Sequence, residues 1–157
     1  MKTIIYYFTL SGNSKKISEN LSKHLKSDVE EIVDKKNREG ILRFFINGFD
    51  AIFERYTEIK KIEKKPSDYD LIIVTFPVWA GKIPPAIKTF FNTYKDQIKK
   101  YALFMTYGLK PSARAIKIIE EITEKTPLSI ASISAKEIDT KKLNEEISDL
   151  KKNLSII

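Results

Sequence analysis

The sequence predicts a doubly wound α/β protein in which a five-stranded parallel sheet carries helices on both faces. Two observations lead to this prediction. Five apolar segments alternate with five amphipathic ones along the 157 residues, and such alternation is typical of βαβ units. The apolar segments also lack a strict alternation of polar and apolar residues, as expected for strands buried on both faces. A chain of this length fits one domain, which we expect to span residues 1–157.

The first part of the chain is predicted to form a strand, a helix and a second strand. Lys2–Phe8 is aromatic and β-branched, which favours a buried strand. Ile17, Leu21 and Leu25 then recur at helical spacing. The next segment, Asp28–Asp34, is a shorter strand candidate that is polar enough to lie towards an edge of the sheet.

A long aromatic segment, NREGILRFFINGFDAIFERYTEI, follows the second strand. Its apolar residues predict an amphipathic helix in which Gly48 is a weak point. We interpret its phenylalanines as core residues, and the alternatives are a cover over a ligand or a homodimer face. The apolar positions are Ile41, Phe44, Phe45, Phe49, Ile52 and Phe53.

The second half of the chain is predicted to form three strands and three helices. Pro85 opens the first of these helices, because proline is well tolerated at a helix start and poorly tolerated within one. Either Asp139 or Thr140 is expected to cap the last helix. The predicted elements are strands at Tyr69–Phe76, Lys100–Gly108 and Pro127–Ala135, and helices from Pro85, over Pro111–Lys125 and over Asp139–Leu154.

The composition excludes several classes of site. The chain has no cysteine, so disulfides, thiolate catalysis and iron–sulfur clusters are excluded, and its single histidine, His24, excludes a multi-histidine metal site. Its net charge is +7, but lysines and glutamates are interleaved and no nucleic-acid-binding motif is present, so no specific nucleic-acid partner is predicted. No apolar run reaches the length of a membrane span and no signal peptide is evident. We expect a cytoplasmic protein.

The first predicted strand ends in TLSGNS, the segment Thr9–Ser14. Three hydroxyls, one amide and a glycine here surround the start of a helix, where free N–H groups and the helix dipole favour an anion. Ordinary capping by Ser11 or Asn13 is the alternative interpretation. The patterns typical of P-loop NTPases and of dinucleotide-binding folds are absent. Four polar residues around one glycine exceed what a cap requires, so the segment predicts a phosphate site.

Two further loops follow strands whose carboxyl ends meet the first loop. PVWAGKIPP contains Trp79, the only tryptophan, next to Gly81. An indole in a proline-stiffened loop suits a flat aromatic ligand, and the alternative is a ring that packs against its own loop. TYGLKPS offers Tyr107 and Gly108. In doubly wound sheets ligands bind beyond the carboxyl ends of the strands.

The two motifs TLSGNS and FPVWAGKIPPAIKTFF, taken in this order, resemble the phosphate loop and the second flavin-contacting segment of the flavodoxin family. The resemblance covers about residues 2–154 and implies a flavodoxin-like fold that holds FMN without a covalent bond. No catalytic residue and no metal ligand are assigned. The resemblance implies that the phosphate contacts are Thr9, Ser11, Gly12, Asn13 and Ser14, and that the isoalloxazine is framed by Pro77, Val78, Trp79, Ala80, Gly81, Thr106, Tyr107 and Gly108.

The resemblance implies a carrier that transfers electrons between redox partner proteins. Two alternatives remain open: an NAD(P)H-dependent FMN oxidoreductase of the quinone reductase type, with Tyr107 as a weak candidate proton donor, and a non-catalytic module for another phosphorylated ligand. The chain departs from the family in being basic where carrier flavodoxins are usually acidic, and in having Lys110 near the third loop. A lysine near a reduced, anionic flavin would raise its potential.

Overall fold

A computed structural model describes residues 1–35 and 56–155 of the chain. Within these residues the backbone forms one five-stranded sheet in which all paired strands are parallel. The strand order is β2-β1-β3-β4-β5, so the order reverses at β1 and β3, as in doubly wound sheets. The strands are β1 Thr3–Tyr7, β2 Asp28–Glu31, β3 Leu71–Pro77, β4 Tyr101–Tyr107 and β5 Ile130–Ser134.

Four described α-helices cover the two faces of the sheet. They are α1 Asn13–Leu25, α2 Pro85–Tyr94, α3 Ala113–Thr123 and α4 Lys141–Ser155. Helices α1 and α4 pack on one face through residues such as Ile17 and Ile147. Helices α2 and α3 pack on the other through residues such as Phe90 and Ile119. Short 3₁₀ turns at Pro66–Asp68 and Lys95–Gln97 precede β3 and β4.

Strands β1, β3 and β4 are buried almost throughout, because helices cover both of their faces. Alternate residues of β3 enter the two cores: Ile73 faces α1 and α4, whereas Val74 faces α2 and α3. This two-sided burial explains why the sequence of these strands is a continuous apolar run. Burial of the apolar side chains is the main force that stabilises such a sheet.

The structure confirms the predicted fold and most of the predicted elements. The second strand lies at an edge of the sheet as expected, although it ends at Glu31 and Asp34 forms only an isolated antiparallel bridge with Ile59. Helix α2 begins at Pro85, and the hydroxyl of Thr140 accepts a hydrogen bond from the N–H of Lys142 at 3.2 Å, as expected of a cap. The predicted helix around residues 41–53 lies outside the described residues.

Three buried tyrosines surround the junction of β1 and β2. The hydroxyl of Tyr69 donates to Asp28 at 2.7 Å and that of Tyr7 donates to Glu31 at 3.3 Å, while Tyr6 donates to the carbonyl of Lys64. Burial, followed by the neighbouring carboxylate, raises the pKa of both Tyr7 and Tyr69 to about 12. Burial raises the pKa of Tyr6 further still. These phenols are therefore held neutral in the folded protein.

We predict that alkali unfolds the protein through these tyrosines. Their pKa values are higher in the folded state than in the unfolded one, so their stabilising contribution is complete below pH 10 and is lost as pH rises towards 12. The free energy of unfolding should fall by up to about 1.4 kcal/mol per pH unit for each tyrosine in this window. Phenolate absorbance at 295 nm and far-ultraviolet circular dichroism, recorded against pH, measure the two events.

A pair of variants supplies the control. Tyr69→Phe should reduce the slope of the unfolding free energy between pH 10 and 12, whereas Tyr56→Phe, at a ring that is 56% exposed, should leave that slope unchanged. Ionisation of all seven tyrosines near pH 10 with the circular dichroism intact would contradict the prediction.

Candidate functional site

The loop between β1 and α1 brings a left-handed glycine to the start of a long helix. Gly12 is the N-cap of α1 with φ of 88°, and no side chain among the described residues caps this end of the helix. The N–H of Gly12 donates to the hydroxyl oxygen of Thr9 at 3.0 Å, which closes the loop on itself. Ser11 and Asn13, the caps expected by the alternative interpretation, therefore do not cap α1, and the first N–H groups of the helix face the carboxyl end of the sheet.

Ser14 is the buried polar group of this loop. Its side chain is almost fully buried, and its hydroxyl has no hydrogen-bond partner among residues 1–35 and 56–155. Leaving such a group without a partner costs about 1–3 kcal/mol. A Cβ built on Gly12 would meet nothing within 4 Å, so open space lies beside the helix start. An uncapped helix start, an unpartnered hydroxyl and open space together suit an anion.

The loop after β3 folds into a tight hairpin at Trp79. The N–H of Trp79 donates to the carbonyl of Lys82 at 3.0 Å, and the reciprocal bond measures 2.8 Å. The two residues between them, Ala80 and Gly81, have φ of 48° and 77°. Two consecutive positive φ values define a type I′ turn, and Ala80 adopts this conformation at a cost that glycine avoids. The hairpin fixes the backbone on either side of the indole.

The indole of Trp79 joins the second loop to the first. Its ring contacts the ring of Phe8 edge-on, with centroids 5.5 Å apart and an interplanar angle of 73°. Trp79 is half-buried at the border of the core that contains α2 and α3. Part of the ring thus packs on the protein, as the alternative interpretation of this residue expected, and part remains accessible.

Two contacts join the second loop to the third. The N–H of Val78 donates to the carbonyl of Thr106 at 2.7 Å. The hydroxyl of Ser112 donates to the carbonyl of Gly81 and accepts from the N–H of Ala115 at 3.2 Å, so one side chain caps α3 and ties it to the hairpin. Ser112 is not among the residues that the sequence predicts for the site. Its position between Pro111 and a helical repeat indicates the cap, but not the contact with Gly81.

The structure brings the sequence-predicted residues of the three loops together at the carboxyl end of the sheet. They differ in how far they are accessible. Ser14 and Thr106 are buried. Thr9, Asn13, Pro77, Val78, Trp79 and Tyr107 are half-buried, and Ser11, Gly12, Ala80, Gly81 and Gly108 are exposed.

The loop after β5 adds two ion pairs to the same end of the sheet. Lys16, in the first turn of α1, pairs with Asp139. Lys142 donates to both carboxylate oxygens of Glu137 at 3.0 Å, and this hydrogen bond raises the pKa of the Lys142 ammonium. Neither pair is assigned from the sequence. Lys16 and Asp139 lie 123 residues apart, so no local pattern indicates that they meet. Both carboxylates of this loop are thereby neutralised by lysines.

A cavity of about 630 Å³ lies apart from the three loops. Its lining comes from residues that precede β3 and β4, together with the end of α2, and it includes none of the predicted site residues. The polar groups that converge at the carboxyl end of the sheet, rather than this cavity, define the candidate site. Within residues 1–35 and 56–155, no helix combines the length and the apolar character needed to cross a membrane.

Comparison with known proteins identifies the family. The family model described as flavodoxin matches residues 50–154 of the chain. The chain belongs to the flavodoxin family. No curated protein matches it.

Solved structures show the same fold at low sequence identity. A flavoprotein from Lactobacillus acidophilus NCFM, solved in complex with FMN, is 23% identical with a TM-score of 0.71, over 91% of this chain and 98% of that one. A flavodoxin from the domain Archaea is 20% identical with a TM-score of 0.60, over 98% and 99% of the two chains. Oxidised flavodoxin 2 from Bacillus cereus is 16% identical with a TM-score of 0.62, over the full length of both. This flavodoxin therefore has the fold that its sequence predicted.

We predict that the left-handed conformation at Gly12 is required for stability. Gly12→Ala should lower the free energy of unfolding by about 1–2 kcal/mol, because a side chain disfavours positive φ even where it meets no other atom. Gly108→Ala is the matched control: its Cβ would also meet nothing within 4 Å, and its φ is not positive. This control should be neutral or stabilising by up to about 1 kcal/mol. Urea denaturation measures both, and equal losses would contradict the assignment.

Proposed function

We propose that this flavodoxin binds FMN without a covalent bond at the carboxyl end of the sheet and carries electrons between redox partners. The single observation that carries the proposal is the uncapped start of α1, where the buried hydroxyl of Ser14 lacks a partner among the described residues. FMN is the cofactor expected from the sequence, and membership of the family confirms it. When bound, FMN supplies one- and two-electron redox chemistry.

The first loop is proposed to bind the phosphate. The N–H groups of the first turn of α1 point beyond the carboxyl end of the sheet, and the positive end of the helix dipole adds to their attraction for an anion. The hydroxyl of Thr9 accepts from Gly12 and keeps its own proton to donate. The hydroxyl of Ser14, which has no partner among the described residues, is proposed to donate to the same anion. We assign the phosphate to Thr9, Ser11, Gly12, Asn13 and Ser14.

The second and third loops are proposed to hold the isoalloxazine. Trp79 offers an aromatic surface whose position is fixed by the hairpin and by Phe8. Gly81 is exposed, and its carbonyl accepts a hydrogen bond from the hydroxyl of Ser112, which holds the backbone in place. We assign the ring system to Pro77, Val78, Trp79, Ala80, Gly81, Thr106, Tyr107 and Gly108. Because residues 1–35 and 56–155 share one sheet and two cores, we also propose that the chain forms a single domain.

The groups around the site favour electron transfer over catalysis on a substrate. A flavin enzyme that reduces a quinone needs an open ring face and a proton donor, whereas a carrier needs only an exposed flavin edge. Glu137 and Asp139, the carboxylates of the loop after β5, are held in ion pairs with lysines and are poorly suited to deliver protons. Tyr107 remains the sole candidate donor from the sequence. A carrier function requires no such donor.

We predict that Ser14 distinguishes FMN from riboflavin. Ser14→Ala should weaken FMN binding by about 1.5–3 kcal/mol through the loss of a charge-assisted hydrogen bond, and should leave riboflavin binding unchanged. Flavin fluorescence and the emission of Trp79 follow both titrations. The variant should be at least as stable as the parent protein, because the lost hydroxyl is buried without a partner among the described residues.

Ser18→Ala is the matched control for Ser14→Ala. Ser18 lies one turn further along α1, and its hydroxyl is likewise buried and unpartnered among the described residues. We expect FMN affinity to be retained in this variant. Equal affinity of the parent protein for FMN and riboflavin would refute the phosphate assignment.

We predict that the FMN-loaded protein exchanges electrons with protein partners faster than with nicotinamide nucleotides. Under anaerobic conditions, NADH or NADPH alone should bleach the flavin slowly and without saturation, because hydride transfer needs an open ring face on which the nicotinamide can stack, and a carrier needs only an exposed flavin edge. A chemically reduced sample should be oxidised rapidly by a one-electron acceptor. Stopped-flow absorbance near 450 nm measures both reactions. Rapid, saturable reduction by NADPH, together with turnover of a quinone, would favour the oxidoreductase alternative.

A further inference from the structure

The positive charge of the chain is concentrated at the carboxyl end of the sheet. Four segments meet there, each running from the end of a strand through the first turn of the following helix: 8–16, 78–88, 108–116 and 135–144. We call them the carboxyl-end segments. They contain nine lysines or arginines and two acidic residues, a net charge of +7. The other residues carry 19 basic and 19 acidic side chains. The net charge of the whole chain is therefore accounted for by these segments.

The two acidic residues of this end do not interrupt its positive surface. Asp139 is paired with Lys16, and Glu137 with Lys142, so each carboxylate is matched by a lysine of the same end. Lys110 and Lys136 are exposed. The electrostatic potentials of several lysines on one end of a small protein add. A cluster of this kind therefore attracts an oppositely charged surface over distances beyond contact.

Exposed leucines accompany these lysines. Leu109, in the third loop, is 99% exposed, and Leu10, in the first loop, is 39% exposed. Single exposed leucines are common on protein surfaces, but these two belong to the loops of the candidate site. Apolar side chains with charged residues around them are typical of protein docking surfaces, in which a water-excluding centre is surrounded by a polar rim.

We propose that the carboxyl-end segments form the docking surface for an acidic redox protein, with lysines as the steering groups and Leu109 as the apolar contact. This inference rests on the proposed function, because an electron carrier must bring its partner to the end of the sheet where its cofactor binds. The proposed partner is acidic, whereas an acidic flavodoxin is expected to bind basic partners. The exposed leucines favour a protein over a nucleic acid, whose backbone offers charge without an apolar counterpart.

The test uses two redox proteins of opposite charge as probes. A plant-type [2Fe–2S] ferredoxin is acidic, and cytochrome c is basic. Each reduced ferredoxin gives one electron to the FMN of the protein, so its cluster is oxidised by one electron as the flavin is reduced by one. Stopped-flow absorbance measures this rate, and calorimetry measures association of the two proteins with or without FMN. We expect ferredoxin to bind and react, with a rate that falls at least about tenfold between 20 and 200 mM NaCl.

Two double variants separate local from total charge. Lys110→Glu with Lys136→Glu changes the proposed docking surface, and Lys23→Glu with Lys152→Glu changes exposed lysines in the last turns of α1 and α4. Both pairs lower the net charge from +7 to +3. The first should reduce ferredoxin association and its rate by about tenfold or more, and the second by less than about twofold. Leu109→Ser should weaken association at every salt concentration without changing the salt dependence.

The outcomes are distinguishable from a failure of the proposed function. Absence of FMN from the purified and reconstituted protein refutes the proposed function, while calorimetry with ferredoxin still tests the surface. Equal effects of the two double variants, or tighter association with cytochrome c, would overturn the docking proposal. It is also overturned if ferredoxin fails to bind while heparin or phosphatidylserine vesicles bind through Lys110 and Lys136, since the surface would then serve a polyanion or a membrane.

Discussion

The parallel pairing of the strands is the constraint on which the rest of the structure depends. Since β1, β3, β4 and β5 all run in the same direction, the loops that follow them open at one end of the sheet. Groups from positions as distant as 16 and 139 thereby become neighbours. Helices α1 to α4 begin at that end, and each brings unpaired backbone N–H groups with it. The geometry of the backbone therefore determines the end of the sheet at which an anion can bind, and the side chains determine the details of the site.

The sequence was sufficient to predict the sheet, the five strands and the three loops, because these follow from local patterns. Apolar runs mark buried strands, and polar residues around a glycine mark a turn. Contacts between distant residues left no such pattern. The bond from Ser112 to Gly81 and the pair of Lys16 with Asp139 depend on how the loops meet in space. The sequence also does not identify the N-cap of α1, because Ser11, Gly12 and Asn13 are all acceptable caps by residue type.

Several local energetic costs occur in the loops of the site, although Ser18, Ser27 and Thr75 also bury hydroxyls that no described residue satisfies. Ala80 has a positive φ, α1 begins without a side-chain cap, and Ser14 buries a hydroxyl that no described residue satisfies. Away from the first two loops, α3 and α4 begin with the hydroxyl caps of Ser112 and Thr140. A protein stabilised by two large apolar cores tolerates such local costs. Binding of a ligand that satisfies these groups would then stabilise the fold in proportion to its affinity.

The excess of positive charge on the carboxyl-end segments gives the described part of the molecule an electric dipole moment along its strands. The amino termini of α1 to α4 add to it, because the positive ends of their peptide dipoles point the same way as the lysines. In the field of a charged body such a molecule experiences a torque as well as an attraction. It turns the carboxyl end of its sheet forward before contact, so a larger share of collisions begins with that end facing the charged body. A negatively charged electrode would attract the molecules through their net positive charge. The same torque would orient them with the carboxyl end of the sheet towards the metal.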